Sequence, residues 1–230
     1  MSRAVRVEVW FVDLDAFGAR SGLAELLDGP ETERLGRFGD PRAARRFTAA
    51  HAALRLITAA HCGVSADSVR WAITEHGKPV LDLAGPGPQV SLSHSDGRAA
   101  IALVPGRRPI GVDLELVRPE PPRLPARAPD RLRQWSASGR PYDFYRAWTR
   151  MEACVKAAGA RLTDGLDLPV SESGPEGPVR AEGGTLAGTC WYVRDLAGPT
   201  GYAAAVALAG RDRFAVRTRR WDARRTPALP

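Results

Sequence analysis

Lysine is nearly missing from this sequence. Of 33 Lys and Arg among 230 residues only Lys78 and Lys156 are lysine, so the formal net charge of +7 rests on 31 arginines. Where guanidinium serves for every ordinary cation, an ammonium marks a place that wants a compact point charge in place of a planar fork. Cysteine is sparse too. Cys62, Cys154 and Cys190 are odd in number and form no C-x-x-C pair, which fits unpaired thiols in a reducing compartment. No stretch approaches the roughly 20 apolar residues of a membrane span. Nothing resembles a signal peptide, because Arg3 and Arg6 precede only a short run that contains Glu8 and closes on Asp13. A cytoplasmic protein without a membrane partner is expected. The sequence also lacks a P-loop, a G-x-G-x-x-G turn and a G-x-S-x-G elbow, which sets aside the nucleotide-binding and hydrolase chemistry those motifs carry.

What is present is a globular composition, 44% hydrophobic and 26% charged, long enough for one large domain or two small ones. The positive charge asks for an acidic partner: nucleic acid, a phosphorylated cofactor or an acidic protein. Strands are expected at 5–12, 69–74, 80–83, 90–93 and 99–104, and helices at 31–38 and 41–61. The second helix has Pro41 in its first turn and Gly63 after its end. The segment 117–140 is proline-dense and basic, an exposed loop with one helical turn at 130–135. The stretch 170–188 reads as loop, 191–194, 201–208 and 214–219 as three strands of an antiparallel sheet, and 224–230 as a disordered tail. His51, His61 and Cys62 lack zinc spacing and read as a helix surface and its end.

The chain is organised around Pro109-Ile110-Gly111-Val112-Asp113-Leu114-Glu115. At strand period Ile110, Val112 and Leu114 point one way and both carboxylates the other. Two acids on one face repel, and that costs stability unless a cation sits between them or solvent bathes both; hard oxygen ligands at this reach suit Mg²⁺. A helix follows at 142–158, with Phe144, Trp148, Met151 and Val155 as its buried stripe and Gly159 as its cap. Glu152 and Lys156 lie roughly 70° and 110° from the centre of that stripe. They sit one turn apart on its shoulder, as a surface ion pair or at the edge of a cleft.

Four pieces then stand in one order: Gly77-Lys78-Pro79, Ser91-Leu92-Ser93-His94-Ser95, Gly111-Val112-Asp113-Leu114-Glu115, and Trp148-Thr149-Arg150-Met151-Glu152-Ala153 with Lys156. Both lysines fall inside them. The set, over most of residues 5–210, resembles the 4'-phosphopantetheinyl transferases of the larger, surfactin-synthetase-activating type. The resemblance implies an α+β fold, a pseudo-dimer of two similar halves, here 1–107 and 108–230, with the active site in the cleft between them. It implies transfer of the phosphopantetheine arm of coenzyme A to a serine of an apo acyl or peptidyl carrier protein, Mg²⁺-dependent, releasing adenosine 3',5'-bisphosphate.

By the same resemblance Asp113 and Glu115 are Mg²⁺ ligands and Glu152 is the third carboxylate, either on the metal or as acceptor of the serine proton. Lys156 serves the transferred phosphate, and Lys78, Gly77 and Pro79 belong to the nucleotide site. His94, with Ser93 beside it, contacts the 3'-phosphate. Arg46 and Arg55, with Arg34 as a further candidate, are placed in that phosphate pocket by helix position alone. An acidic carrier fits the net charge, and with both halves of the cleft on one chain a monomer is expected. The sequence departs from the family's pattern where a lysine usually precedes the glutamate. That position is Met151, so either Arg150 takes over its charge or catalysis runs slower. The usual glycine two residues past the helix cap is Arg161. Two other readings remain open at this stage, a degenerate relative that binds coenzyme A without turnover and a basic nucleic-acid-binding protein. The acidic set Asp113, Glu115 and Glu152 argues against the second.

Overall fold

The computed structural model describes residues 5–74, 78–82, 87–120, 124, 128–137, 139–170 and 174–222. In chain order it has β1 (Arg6–Asp13), α1 (Leu14–Phe17), α2 (Gly29–Leu35), α3 (Pro41–Cys62), β2 (Trp71–Ile73), β3 (Pro79–Leu81), β4 (Gln89–Ser95), β5 (Arg98–Val104), β6 (Ile110–Leu116), α4 (Asp130–Ala137), α5 (Pro141–Ala158), β7 (Glu176–Arg180), β8 (Cys190–Asp195), β9 (Tyr202–Ala209) and β10 (Ala215–Arg220). The fold is mixed α+β. One four-stranded sheet runs β10-β1-β5-β4, the other β6-β9-β8-β7, and β2 pairs with β3 as a small ribbon.

Strand alternation divides the core into three layers. Val7, Val9 and Phe11 of β1, Ala100, Ala102 and Val104 of β5, Ile110, Val112 and Leu114 of β6, and Ala204, Val206 and Leu208 of β9 share one cluster between the sheets. The opposite face of the first sheet, with Val12, Ile101 and Leu103, packs on Ala49, Ala50, Ala53, Leu54 and Ile57 of α3. The opposite face of the second, with Ala203, Ala205 and Ala207, packs on Phe144, Trp148 and Met151 of α5. Period-2 side-chain placement lets each strand serve two layers.

The helix termini carry their own signals. Asp40 accepts the Arg42 and Ala43 amides ahead of Pro41 at the start of α3, and Asp28 and Glu31 form a reciprocal capping box on α2. Gly159 ends α5 in the left-handed conformation, φ 65°.

Several expectations are corrected. The third C-terminal strand does not join its neighbours: β10 runs parallel to β1, with Arg6 opposite Ala215, and completes the first sheet. A strand, β7, crosses the stretch read as loop. The helix expected at 31–38 spans Gly29–Leu35. His94 lies within β4 instead of just beyond its end. The tail 224–230 lies outside the described residues, as do 121–123, 125–127 and 138 of the proline-rich segment, whose described part includes α4. Among the described residues no helix is long and apolar enough to cross a membrane.

Candidate active site at the seam of the two sheets

The acidic face of β6 looks onto α5. A Cβ on Gly111 would lie 2.0 Å from the Ala153 carbonyl oxygen and 2.4 Å from the Ala157 nitrogen, so glycine is what lets the helix ride directly on the strand. Two residues further along β6, Asp113 is buried at 1% exposure. Lys156 of α5 donates to its Oδ1 at 2.5 Å and stands 3.8 Å from Glu152 Oε2. From the other sheet, β4 contributes Ser93, whose hydroxyl donates to the same Asp113 oxygen at 2.7 Å and accepts from Lys156 Nζ at 3.0 Å. Ser95 donates to Glu115 Oε2 at 2.6 Å. Strand β6, helix α5 and the edge of the first sheet thus meet on one polar cluster.

The cluster forms one wall of a cavity of about 510 Å³ that Asp113, Glu115, Glu152, Lys156, Ser93 and His94 all line. Burial, and then the charges of Asp113 and Glu115, push the Glu152 carboxyl up to about 7 against the pull of Lys156. Burial and Asp113 also raise Glu115, with Ser95 opposing. Burial alone would discharge Lys156, but Asp113 and Glu152 outweigh it and hold the ammonium above its ordinary pKa.

Among the described residues no three His, Cys, Asp or Glu side chains are close enough together to hold a metal ion. The convergent carboxylate triad expected from the sequence is instead three carboxylates on one cavity with the Lys156 ammonium between two of them. The physical reason is like-charge repulsion, which draws in the nearest cation. The donor set still fits a hard dication. Asp113 Oδ2 is buried without a hydrogen-bond partner, and the crowding that lifts Glu152 and Glu115 is what a dication relieves.

The opposite wall comes from the first sheet, its helices and the β2–β3 ribbon. Arg34, Phe47, His51, Trp71, Pro79 and His94 line it. The Arg34 guanidinium lies over the Phe47 ring at 5.2 Å, and the His51 ring is tilted against Phe47 at 4.1 Å. His94 is open to solvent on one side. Its pKa is lowered by desolvation against the cleft wall and by the nearby His51, Lys156 and Arg34. Glu31 carries His51: its Oε1 is 2.7 Å from Nδ1. Burial would raise this carboxyl, but hydrogen bonds from His51, the Asp28 amide and Arg55 bring it down to about 2. Glu31 is therefore an acceptor only, and the His51 Nδ1–H donates to it.

Two arginines assigned to this pocket from helix position lie elsewhere. Arg46 binds Asp15 at 2.7 Å and Asp96 at 2.7 Å. Arg55 is buried behind the wall, donating to the Val69 carbonyl, Asp28 and Glu31. Their acidic partners come from other elements, which helix periodicity does not reveal. Lys78 donates to the carbonyls of Ile110 at 3.2 Å and Ala157 at 3.1 Å, with burial lowering its pKa to about 8. It ties the β2–β3 ribbon to β6 and the end of α5. Gly77 lies outside the described residues.

Arg150 does not take over for the missing lysine. It is buried, bound to Asp195 at 2.6 Å and to the Val170 and Gly174 carbonyls, while Met151 sits in the core. His51, read from the sequence as helix surface, and Trp71 both line the cavity. The i,i+4 step from the buried Phe47 was the available signal for His51.

A family model described as the 4'-phosphopantetheinyl transferase superfamily matches residues 109–207, the span holding β6 and α5. The 4'-phosphopantetheinyl transferase HetI of Nostoc sp. is 32% identical over 215 residues, 89% of this chain and 88% of that protein. The chain belongs to the 4'-phosphopantetheinyl transferase family. A 4'-phosphopantetheinyl transferase of Bacillus subtilis is also similar, 26% identical over 66% of this chain and 67% of its own length. As a 4'-phosphopantetheinyl transferase, the enzyme moves the phosphopantetheine arm of coenzyme A onto a carrier protein.

Proposed function

We propose that this cavity binds coenzyme A and that the carrier's serine attacks there, in an enzyme of the larger, surfactin-synthetase-activating type whose halves 1–107 and 108–230 form a pseudo-dimer. The serine oxygen forms a bond to the phosphorus bearing the pantetheine arm. The pyrophosphate P–O bond breaks, and adenosine 3',5'-bisphosphate leaves. Asp113, Glu115 and Glu152 are the residues to hold Mg²⁺, which when bound offsets the charge growing on the leaving diphosphate. Lys156 presents its ammonium to the transferred phosphate, and Ser93 orients that ammonium. Glu152 is the third carboxylate of this set, on the metal or as acceptor of the serine proton.

Arg34 supplies positive charge to the 3'-phosphate, His94 and His51 offer it ring N–H donors, and Pro79 and Trp71 give the nucleotide apolar contact. The net charge of +7 suits an acidic acyl or peptidyl carrier of polyketide or nonribosomal peptide synthesis, met by a cytoplasmic monomer. The observation that carries this reading is the junction of Asp113, Lys156 and Ser93, drawn from β6, α5 and β4 onto one cavity.

Incubating the protein with Mg²⁺, coenzyme A and an apo carrier and then weighing the carrier tests it. The carrier gains the mass of one phosphopantetheine arm, and Asp113→Ala abolishes the gain while leaving the circular dichroism spectrum unchanged. Turnover by Asp113→Ala at the wild-type rate rejects the assignment.

A further inference from the structure

We propose that Ser95 is a positioning residue that aims Glu115 into the active site. This rests on Glu115 being a metal ligand. β4 and β6 are edge strands of different sheets and share no backbone ladder. Serine hydroxyls bridge them instead. Ser91, Ser93 and Ser95 alternate along β4 and so share one face. Ser91 Oγ accepts the Val112 amide at 3.1 Å and Ser95 Oγ accepts the Leu116 amide at 3.2 Å, so the two strands advance in step, parallel, with hydroxyls in place of carbonyls.

Ser95 does one thing more than Ser91. A serine hydroxyl has one proton and two lone pairs, and usually rotates freely. Here the Leu116 N–H takes a lone pair, and the proton is directed at Glu115 Oε2, 2.6 Å away. The hydroxyl is held from both sides and in turn fixes the carboxylate. A carboxylate hydrogen-bonded through one oxygen keeps the other for a cation, the role outer partners play at metal centres. Glu115 is half-buried at the end of β6, and without that bond its side chain is free to swing toward solvent.

Ser91 is the natural control, because Ser91→Ala removes a seam hydrogen bond without touching a carboxylate. Mn²⁺ binding is measured by electron paramagnetic resonance on the protein with coenzyme A and no carrier, so nothing turns over, and thermal unfolding is recorded alongside. Ser95→Ala is expected to weaken Mn²⁺ binding by about 10- to 100-fold, as loss of outer-shell partners does elsewhere. Ser95→Thr, which keeps the donor, restores it, and Ser91→Ala lowers the melting temperature but leaves Mn²⁺ affinity at the wild-type value. If Ser95→Ala does not fold, Ser95→Cys, close in shape but a weak donor, carries the same expectation. Wild-type Mn²⁺ affinity in the Ser95 variants, or an equal loss in Ser91→Ala, overturns the proposal and leaves the metal reading standing. Absence of Mn²⁺ binding by the wild type removes the metal reading and this proposal with it.

Discussion

Glu31 shows how a single residue sets two properties. It is 8% exposed, and its two oxygens are shared among Arg55 at 2.7 Å, His51 at 2.7 Å and the Asp28 amide at 3.0 Å. Its folded pKa of about 2 is below the ordinary 4.5. A depressed carboxylate contributes stability that is fully present above the unfolded value and lost as pH falls through the folded one. Over that shift the contribution is about 3 kcal/mol. Denaturant unfolding at a series of pH values should therefore show wild-type stability dropping between about pH 5 and 2, and the gap to Glu31→Gln closing over the same window. A gap that stays constant with pH contradicts the network. Glu31 itself was not legible as part of the site, because the sequence places it only in a helix start and gives no sign that Arg55 and His51 converge on it from α3. The two lysines, by contrast, stood out by rarity, and both ammonium groups lie against β6, Lys156 on Asp113 and Lys78 on the carbonyls of Ile110 and Ala157.

At the scale of elements, the β6–α5 contact positions the chemistry. The alternation of β6 and the three-and-four spacing of α5 were readable because each period matches its own geometry. Where turn-forming residues interrupt the pattern, as Gly177 and Pro178 do within β7, the strand was missed; β7 is an edge strand, where proline's missing N–H costs no ladder bond. Gly111→Ala is the direct test of the contact. The new methyl meets helix backbone, not a movable side chain tip, so the helix must shift. Overpacking of this kind costs about 1–3 kcal/mol or more. We expect a lower melting temperature and loss of carrier loading together, because Glu152 and Lys156 move away from Asp113. Full activity in a stable Gly111→Ala protein would show that the close approach is dispensable.

For the whole molecule, the joining of the two sheets was the least legible feature. β10 returns to lie parallel to β1, more than 200 residues distant along the chain, and nothing in a local pattern announces so non-local a pairing. Its exposed, arginine-rich sequence reads like any solvated strand. The inter-sheet core was equally hidden, since alternation tells which residues share a face but not what that face meets. Yet this packing brings Ser93 and Ser95 of one sheet against Asp113 and Glu115 of the other. The central claim, that carboxylates from a strand and a helix share one dication at this seam, is tested most directly by anomalous scattering from crystals grown with Mn²⁺ and coenzyme A. One manganese peak within coordination distance of Asp113, Glu115 and Glu152, with Lys156 moved off Asp113 onto a phosphate, is the expected result. A map with no peak there, Lys156 still on Asp113 and the diphosphate bound elsewhere, contradicts it.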